Sequence, residues 1–304
     1  MTVDATRRAL LASTLPAWLA GCASGPVGRE VDLSAAMTSL QARCGGKLGV
    51  FAQDTGSGDF VSFNAESRFA MASTFKVLLA ATVLQRVDGG TVSLDQTVTF
   101  GRRDLLSYAP VASRRVSEGR MSVRDLLAAT LELSDNTAAN LLLALVGGPS
   151  AVTDFVRGTG DVTTRLDRIE PDLNTNLAGD LRDTTTPIAM ARTLQAVTLD
   201  RRHLSVASRA HLQAWMVAAT TGRRRLRAGL PDHWRVGDKT GSGDNGAYND
   251  VAVAWPSAGS PIVLSVFMSG ATAPAETLDA IHVVVARLVA RELASSEALQ
   301  PSRG

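Results

Sequence analysis

Ser73-Thr-Phe-Lys76 sets a hydroxyl and an amine three residues apart at the head of an Ala- and Leu-rich stretch. On a helix that spacing puts both side chains on one face, so the amine can reach the hydroxyl. A serine attacks an electrophile only when a neighbouring base takes its proton. The free N–H groups at a helix start can stabilise the oxyanion that results. Alone the motif is weak, because serine and lysine often fall three apart by chance. Ser134-Asp135-Asn136 precedes a second helical stretch, where by itself it would be a cap. Lys239-Thr240-Gly241 closes a strand-like run, where a lysine before a turn is ordinary. Three such motifs in this order, about 60 and 105 residues apart, are far more specific than any one of them.

The lysines sharpen the point. Only three of the 31 basic residues are lysines, at 47, 76 and 239, and two of them stand in these motifs. A general arginine bias follows from genome composition. Yet a lysine kept where arginine serves elsewhere suits a task in which the amine must be compact or must lose its proton, which arginine does not do. Lys47, just before a strand, reads as an exposed charge.

The elements that must position these groups follow from periodicity. A helix is predicted over Val31–Arg43, then a hairpin of Leu48–Gln53 and Phe60–Asn64 around Asp54-Thr-Gly-Ser-Gly58. Helical segments dominate the middle, including Thr74–Val87, Ser122–Leu133, Asn136–Val146 and Pro187–Leu199. Strand signals return at Trp234–Lys239, Tyr248–Trp255 and Ile262–Met268, and a helix over Ala275–Ala294 closes the chain. The simplest assembly is an α/β fold of the α+β type. One antiparallel sheet is built from both chain ends (residues 23–66 and 219–298), with terminal helices on it and an inserted all-α domain (67–218). Catalytic groups would sit at the seam between the two.

With 304 residues, 45% of them hydrophobic, the chain can bury a large core. A net charge of +2 with dispersed signs gives nucleic-acid binding little support. Arg7-Arg8, a short apolar run and Leu19-Ala20-Gly21-Cys22 form a secretory signal over residues 1–22, too short to span a bilayer. The same residues resemble a lipobox with Cys22 as the lipidated residue, and Thr6–Leu11 looks like a twin-arginine export signal. The expected location is periplasmic or cell-envelope, with membrane attachment through Cys22. Cys44 would then be a lone thiol, read as a small buried hydrophobe. His203, His211, His233 and His282 lack metal-ligand spacing, so no metal is expected.

The three motifs together resemble the signature of class A β-lactamases and penicillin-binding proteins. The resemblance runs from about Val31 to Ala294 and implies a five-stranded antiparallel sheet with an all-α domain. Arg168-Ile-Glu170-Pro171-Asp-Leu-Asn174 is similar to the Ω-loop of class A enzymes. There Glu170 and Asn174 would hold a deacylating water, Arg168 and Asp183 would pair across the loop base, and the Glu170–Pro171 bond would be cis. The family further implies Ser73 as nucleophile, with its N–H and that of Ser242 as the oxyanion hole. Lys76 would assist proton transfer, and either it or Glu170 would be the acylation base. Ser134 would protonate the departing nitrogen, Asn136 would bind the substrate acylamide, and Lys239, Thr240 and Gly241 would grip its carboxylate. Tyr108 would line the mouth. The implied partner is a small β-lactam, with no cofactor and a monomeric protein.

Two departures from the family pattern stand out. Many members place an arginine late on the strand after Lys-Thr-Gly to support the substrate carboxylate, where this chain has Tyr248. Arg225 aligns with an alternative arginine and takes that role. Ala72 and Gly243 occupy the positions at which some carbapenem-hydrolysing relatives carry a disulfide. A D-Ala-D-Ala carboxypeptidase or other penicillin-binding protein would share the first three motifs, and a silent β-lactam sensor would share the pocket. Deacylation, carried by Glu170 and Asn174, separates a hydrolase from both.

Overall fold

The computed structural model describes residues 28–294. The expected export segment and Cys22 lie outside the described residues. The chain runs through α1 (Ser34–Cys44), β1 (Lys47–Asp54), β2 (Phe60–Phe63), a short β3 (Phe69–Ala70), α2 (Phe75–Asp88), β4 (Thr97–Thr99), α3 (Ala112–Arg115) and β5 (Arg120–Ser122). Next come α4 (Val123–Glu132), α5 (Asn136–Val146), α6 (Pro149–Gly158), β6 (Thr184–Thr185), α7 (Pro187–Thr198) and α8 (Val206–Ala218). Finally β7 (Arg235–Ser242), β8 (Tyr248–Trp255), β9 (Ile262–Ser269) and α9 (Ala275–Leu293) complete it.

Both ends of the chain build one antiparallel sheet, as predicted, and its strand order is β2-β1-β9-β8-β7. Side chains on a strand alternate between faces, and here both faces are covered. Leu48, Val50, Ala52, Ala252, Ala254, Leu264 and Val266 point to a core shared with α1 and α9. Phe51, Val251, Val253, Val263 and Phe267 point the other way, into the core of the helical segment. That double coverage is why these strands read as continuous apolar runs. Cys44 ends α1 fully buried, and burial pushes its thiol above the ordinary range.

Helix α2 is buried at every position from Phe75 to Leu84. A helix apolar on all sides belongs in the middle of the core, and its position there takes Lys76 out of water. The predicted boundaries of the main elements hold to within a few residues. Ser73 itself sits in a short 3-10 turn, Ala72–Thr74, that leads into α2. Helices α6 and α8 and the pairs β3–β6 and β4–β5 were not anticipated. In α8 the buried stripe includes Ser208 and Arg209, whose side chains bond Asp88 and the Asp200 and Leu204 carbonyls. Those polar residues hide the helical period.

The end of β7 lies directly on the turn carrying Ser73. A Cβ at Gly241 would stand 2.7 Å from the Met71 carbonyl oxygen and 3.1 Å from the Thr74 nitrogen, both backbone atoms. Gly241→Ala should therefore push β7 off the Ser73 turn, lowering stability by about 1–3 kcal/mol, the usual cost of overpacking. Urea midpoints check this; an unchanged midpoint would contradict it.

Candidate active site

Lys76 and Glu170 form the centre of the site. Their side chains are both fully buried, with Lys76 Nζ 3.1 Å from Glu170 Oε1. The same Oε1 lies 3.4 Å from Ser73 Oγ, so the carboxylate stands between the hydroxyl and the amine. Lys76 Nζ also donates to the Ser134 carbonyl at 2.8 Å and to Asn136 Oδ1 at 2.6 Å, and lies 3.3 Å from Ser134 Oγ. Burial pushes the Lys76 pKa down, while Glu170 and Asp135 pull it back up. On the far side Asn174 Nδ2 donates to Glu170 Oε2 at 2.6 Å.

Three local devices hold this cluster. Asp135 caps α5 by accepting the Ala138 N–H, and its other oxygen accepts the N–H groups of Val111 and Ala112. It thereby ties the loop bearing Tyr108 to the helix, and Asn136 N donates to the Tyr108 carbonyl at 2.9 Å. Tyr108 itself is half-exposed. Asn140, one helical turn beyond Asn136, brackets the Glu170 backbone. Its Nδ2 donates to the Glu170 carbonyl and its Oδ1 accepts the Glu170 N–H. At the loop base, Arg168 Nε meets Asp183 Oδ2 at 2.5 Å, and Asp183 Oδ1 accepts the N–H groups of Asp167 and Arg168. The Glu170–Pro171 bond is cis, as the resemblance implies.

The opposite wall is β7. Lys239 Nζ donates to Ser134 Oγ at 3.0 Å, so the Ser134 hydroxyl lies between two ammonium groups. Thr240 Oγ1 bonds Thr221 Oγ1 at 2.7 Å. Ser242 Oγ accepts from Arg225 Nη2 at 2.7 Å, while Arg225 Nη1 donates to the carbonyls of Gly241 and Asn249. Tyr248 stands at the start of β8, not late on it, and pairs across the sheet with Ser242. Asp244 N donates to the Asn174 carbonyl, and a Cβ at Gly243 would meet that carbonyl oxygen at 2.7 Å, so the loop lies hard against the strand end. Ala72, Ser134 and Asp183 all have positive φ, a region that costs a side-chain-bearing residue about 1–2 kcal/mol.

The residues expected at the site within the described region thus gather around Lys76 and Glu170 and the end of β7, or support them, with Tyr108 joined through its backbone carbonyl. Sequence reasoning missed Asn140, Asn249, Thr221 and Asp279. Only Asn140 carried a signal, its helical spacing from Asn136. A cavity of about 750 Å3 lies elsewhere, lined by Arg68, Arg168, Asn176, Arg182 and Asn245 among others, and none of Ser73, Lys76 or Glu170 faces it. Among the described residues no group of His, Cys, Asp and Glu side chains is arranged to hold a metal.

A serine beside a buried lysine–glutamate pair, walled by a Lys-Thr-Gly strand, defines an active-site serine hydrolase of the β-lactam-recognising kind. A profile of the β-lactamase enzyme family matches residues 32–292. Beta-lactamase AST-1 of Nocardia asteroides is 45% identical over 297 residues, covering 94% of this chain and 95% of that protein. Beta-lactamase CTX-M-97 of Escherichia coli is 46% identical over 253 residues, covering 83% and 86%. The solved structure of the ancestral (GNCA) class A β-lactamase superposes with a TM-score of 0.83 at 50% identity, covering 86% of this chain and 99% of that one. The chain belongs to the β-lactamase enzyme family, as a class A serine β-lactamase.

Lys239 is fully buried, and that burial, reinforced by Lys76, depresses its pKa to about 7 against the pull of Asp238 and Asp250. Folding thus disfavours its charged form, and the resulting penalty is full below about pH 7 and relieved as pH rises from there towards 10.5. In the folded protein the Lys239 charge is lost earlier, as pH passes through about 7. For a carboxylate-bearing β-lactam, kcat/KM should decline above about pH 7, mainly through KM, because this ratio reports the free enzyme. Lys239→Arg, permanently charged, should move that alkaline limb upward; an unmoved limb would assign it to another group.

Proposed function

We propose that the chain opens the lactam amide of penicillins and cephalosporins in two half-reactions on Ser73, as an exported, lipid-anchored, monomeric enzyme. The observation that carries the reading is the single Glu170 oxygen facing both Ser73 Oγ and Lys76 Nζ, with Asn174 on the other oxygen.

In the first half-reaction Ser73 Oγ bonds the lactam carbonyl carbon and its proton passes to the Glu170–Lys76 pair. The backbone N–H groups of Ser73 and Ser242 receive the oxyanion, each such donor being worth about 3–4 kcal/mol of barrier. As the C–N bond breaks, the nitrogen takes the Ser134 proton. Two lysines facing the Ser134 oxygen leave its hydrogen free to point outward. Ser134 recovers a proton from the lysine side. Asn136 orients the acylamide group, while Lys239, Thr240 and Arg225 hold the carboxylate against the Gly241 backbone, and Tyr108 lines the mouth.

In the second half-reaction a water between Glu170 and Asn174 gives its proton to Glu170 and attacks the ester. Ser73 Oγ leaves and is reprotonated from the same pair. A positioned carboxylate base contributes about 10²–10⁴-fold to such a step. The Arg168–Asp183 pair serves this half-reaction indirectly by holding the loop. Export rests on the sequence of residues 1–22, and anchoring on Leu19–Cys22 within it.

Two experiments test this. Protein lacking residues 1–22, given excess chromogenic cephalosporin and followed from milliseconds to minutes, should turn over far beyond one equivalent. A one-equivalent burst that then halts would replace hydrolysis with a penicillin-binding or sensing role. In cells making the full chain, activity should enter the detergent phase of a Triton X-114 extract, and Cys22→Ser should move it to the aqueous phase. Equal partitioning of the two would remove the lipid anchor.

A further inference from the structure

The Arg225 side chain is held by several groups at once, and one of them is the tyrosine that stands where many family members carry an arginine. The guanidinium carbon lies 3.6 Å from the centroid of the Tyr248 ring, so the group rests on the aromatic face. In its own plane it bonds the main chain of β7 and β8 and the Ser242 hydroxyl. Its Nε approaches Asp279 Oδ1 at 3.6 Å, and the Tyr248 hydroxyl donates to that same oxygen at 2.7 Å. The ring packs in a T-shaped contact with His282 on α9, their centroids 5.8 Å apart. Burial holds the phenol above its ordinary pKa, so it remains a neutral donor.

An arginine at position 248 would set a second cation against Arg225. A tyrosine there presents a negative ring face instead, and a cation over an aromatic face in a desolvated place is strongly held. Without the ring, Arg225 would keep its hydrogen bonds but lose the plane that orients them. We propose that Tyr248 is the positioning residue for carboxylate recognition, its ring face holding Arg225 flat against the ends of β7 and β8 in register with Ser242. This rests on the reading of Arg225 as a carboxylate anchor.

The test is steady-state kinetics of the mature protein with a cephalosporin bearing the usual carboxylate. Tyr248→Leu should raise KM about tenfold with kcat changed less than about threefold, in line with the strength of a desolvated cation–π contact. Tyr248→Phe keeps the ring and should restore KM to within about threefold. Tyr248→pentafluorophenylalanine preserves shape while reversing the ring's charge pattern, and should match the leucine variant even if that variant folds poorly. Arg225→Ala should raise KM at least as far, and adding Tyr248→Leu should then change little. If Arg225→Ala raises KM but neither the leucine nor the fluorinated variant does, the Tyr248 inference is overturned and the anchor stands. If Arg225→Ala leaves KM unchanged, the anchor and the inference fall together.

Discussion

A lysine and a glutamate with no solvent contact, 3.1 Å apart, organise this molecule. Taking two charges out of water is costly unless each finds its partner and further hydrogen bonds. Lys76 finds the Ser134 carbonyl and the Asn136 side chain, and Glu170 finds Asn174. The pair therefore recruits α2, the head of α5 and the Ω-loop to one point. Removing one partner of such a pair strands the other charge, a loss of about 3–5 kcal/mol. Lysine suits the position because a buried ammonium can give up its proton and a guanidinium cannot.

The rest of the site follows from keeping that pair dry and aligned. The Ω-loop must reach over α5, so Asn140 grips the Glu170 backbone and Asp183 closes the loop base on Arg168. The strand carrying Lys239 must press against both the Ser73 turn and the loop, which only glycine permits at 241 and 243. Positive φ at Ala72, Ser134 and Asp183 places strained backbone next to Ser73, at Ser134 itself and at the closure of the loop. Surrounding contacts over-determine these conformations, which is how strain persists at a working site. The second buried lysine, Lys239, lies across Ser134 from the first, so one hydroxyl links the two walls of the cleft.

The sheet and the chief helices are legible in the sequence because apolar period and turn chemistry agree there. Val251 to Ala254 is a continuous apolar run because Val251 and Val253 face one core and Ala252 and Ala254 the other. The motifs at Ser73, Ser134, Lys239 and Glu170 are legible because their chemistry restricts residue type. Asn249 and Asp279 are not, because their work depends on neighbours distant in the chain. Asn249 bonds the carbonyls of Ala70 and Met71 from inside a buried strand, and Asp279 meets Tyr248 from the terminal helix. Helix α8 is hidden because a buried arginine interrupts its apolar stripe. Tyr248 reads in sequence only as a missing arginine, and its use appears once Arg225 is seen lying on it.

The division of labour at the buried pair is open to one measurement, intact-mass spectrometry of Glu170→Ala after mixing with a cephalosporin. If Glu170 serves the second half-reaction, one acyl adduct per protein accumulates on Ser73 and persists, with deacylation slowed by about 10²–10⁴-fold. An adduct that clears at the rate of the unaltered enzyme would show that another group activates the water, and Glu170 on its Ω-loop would not be the deacylating base.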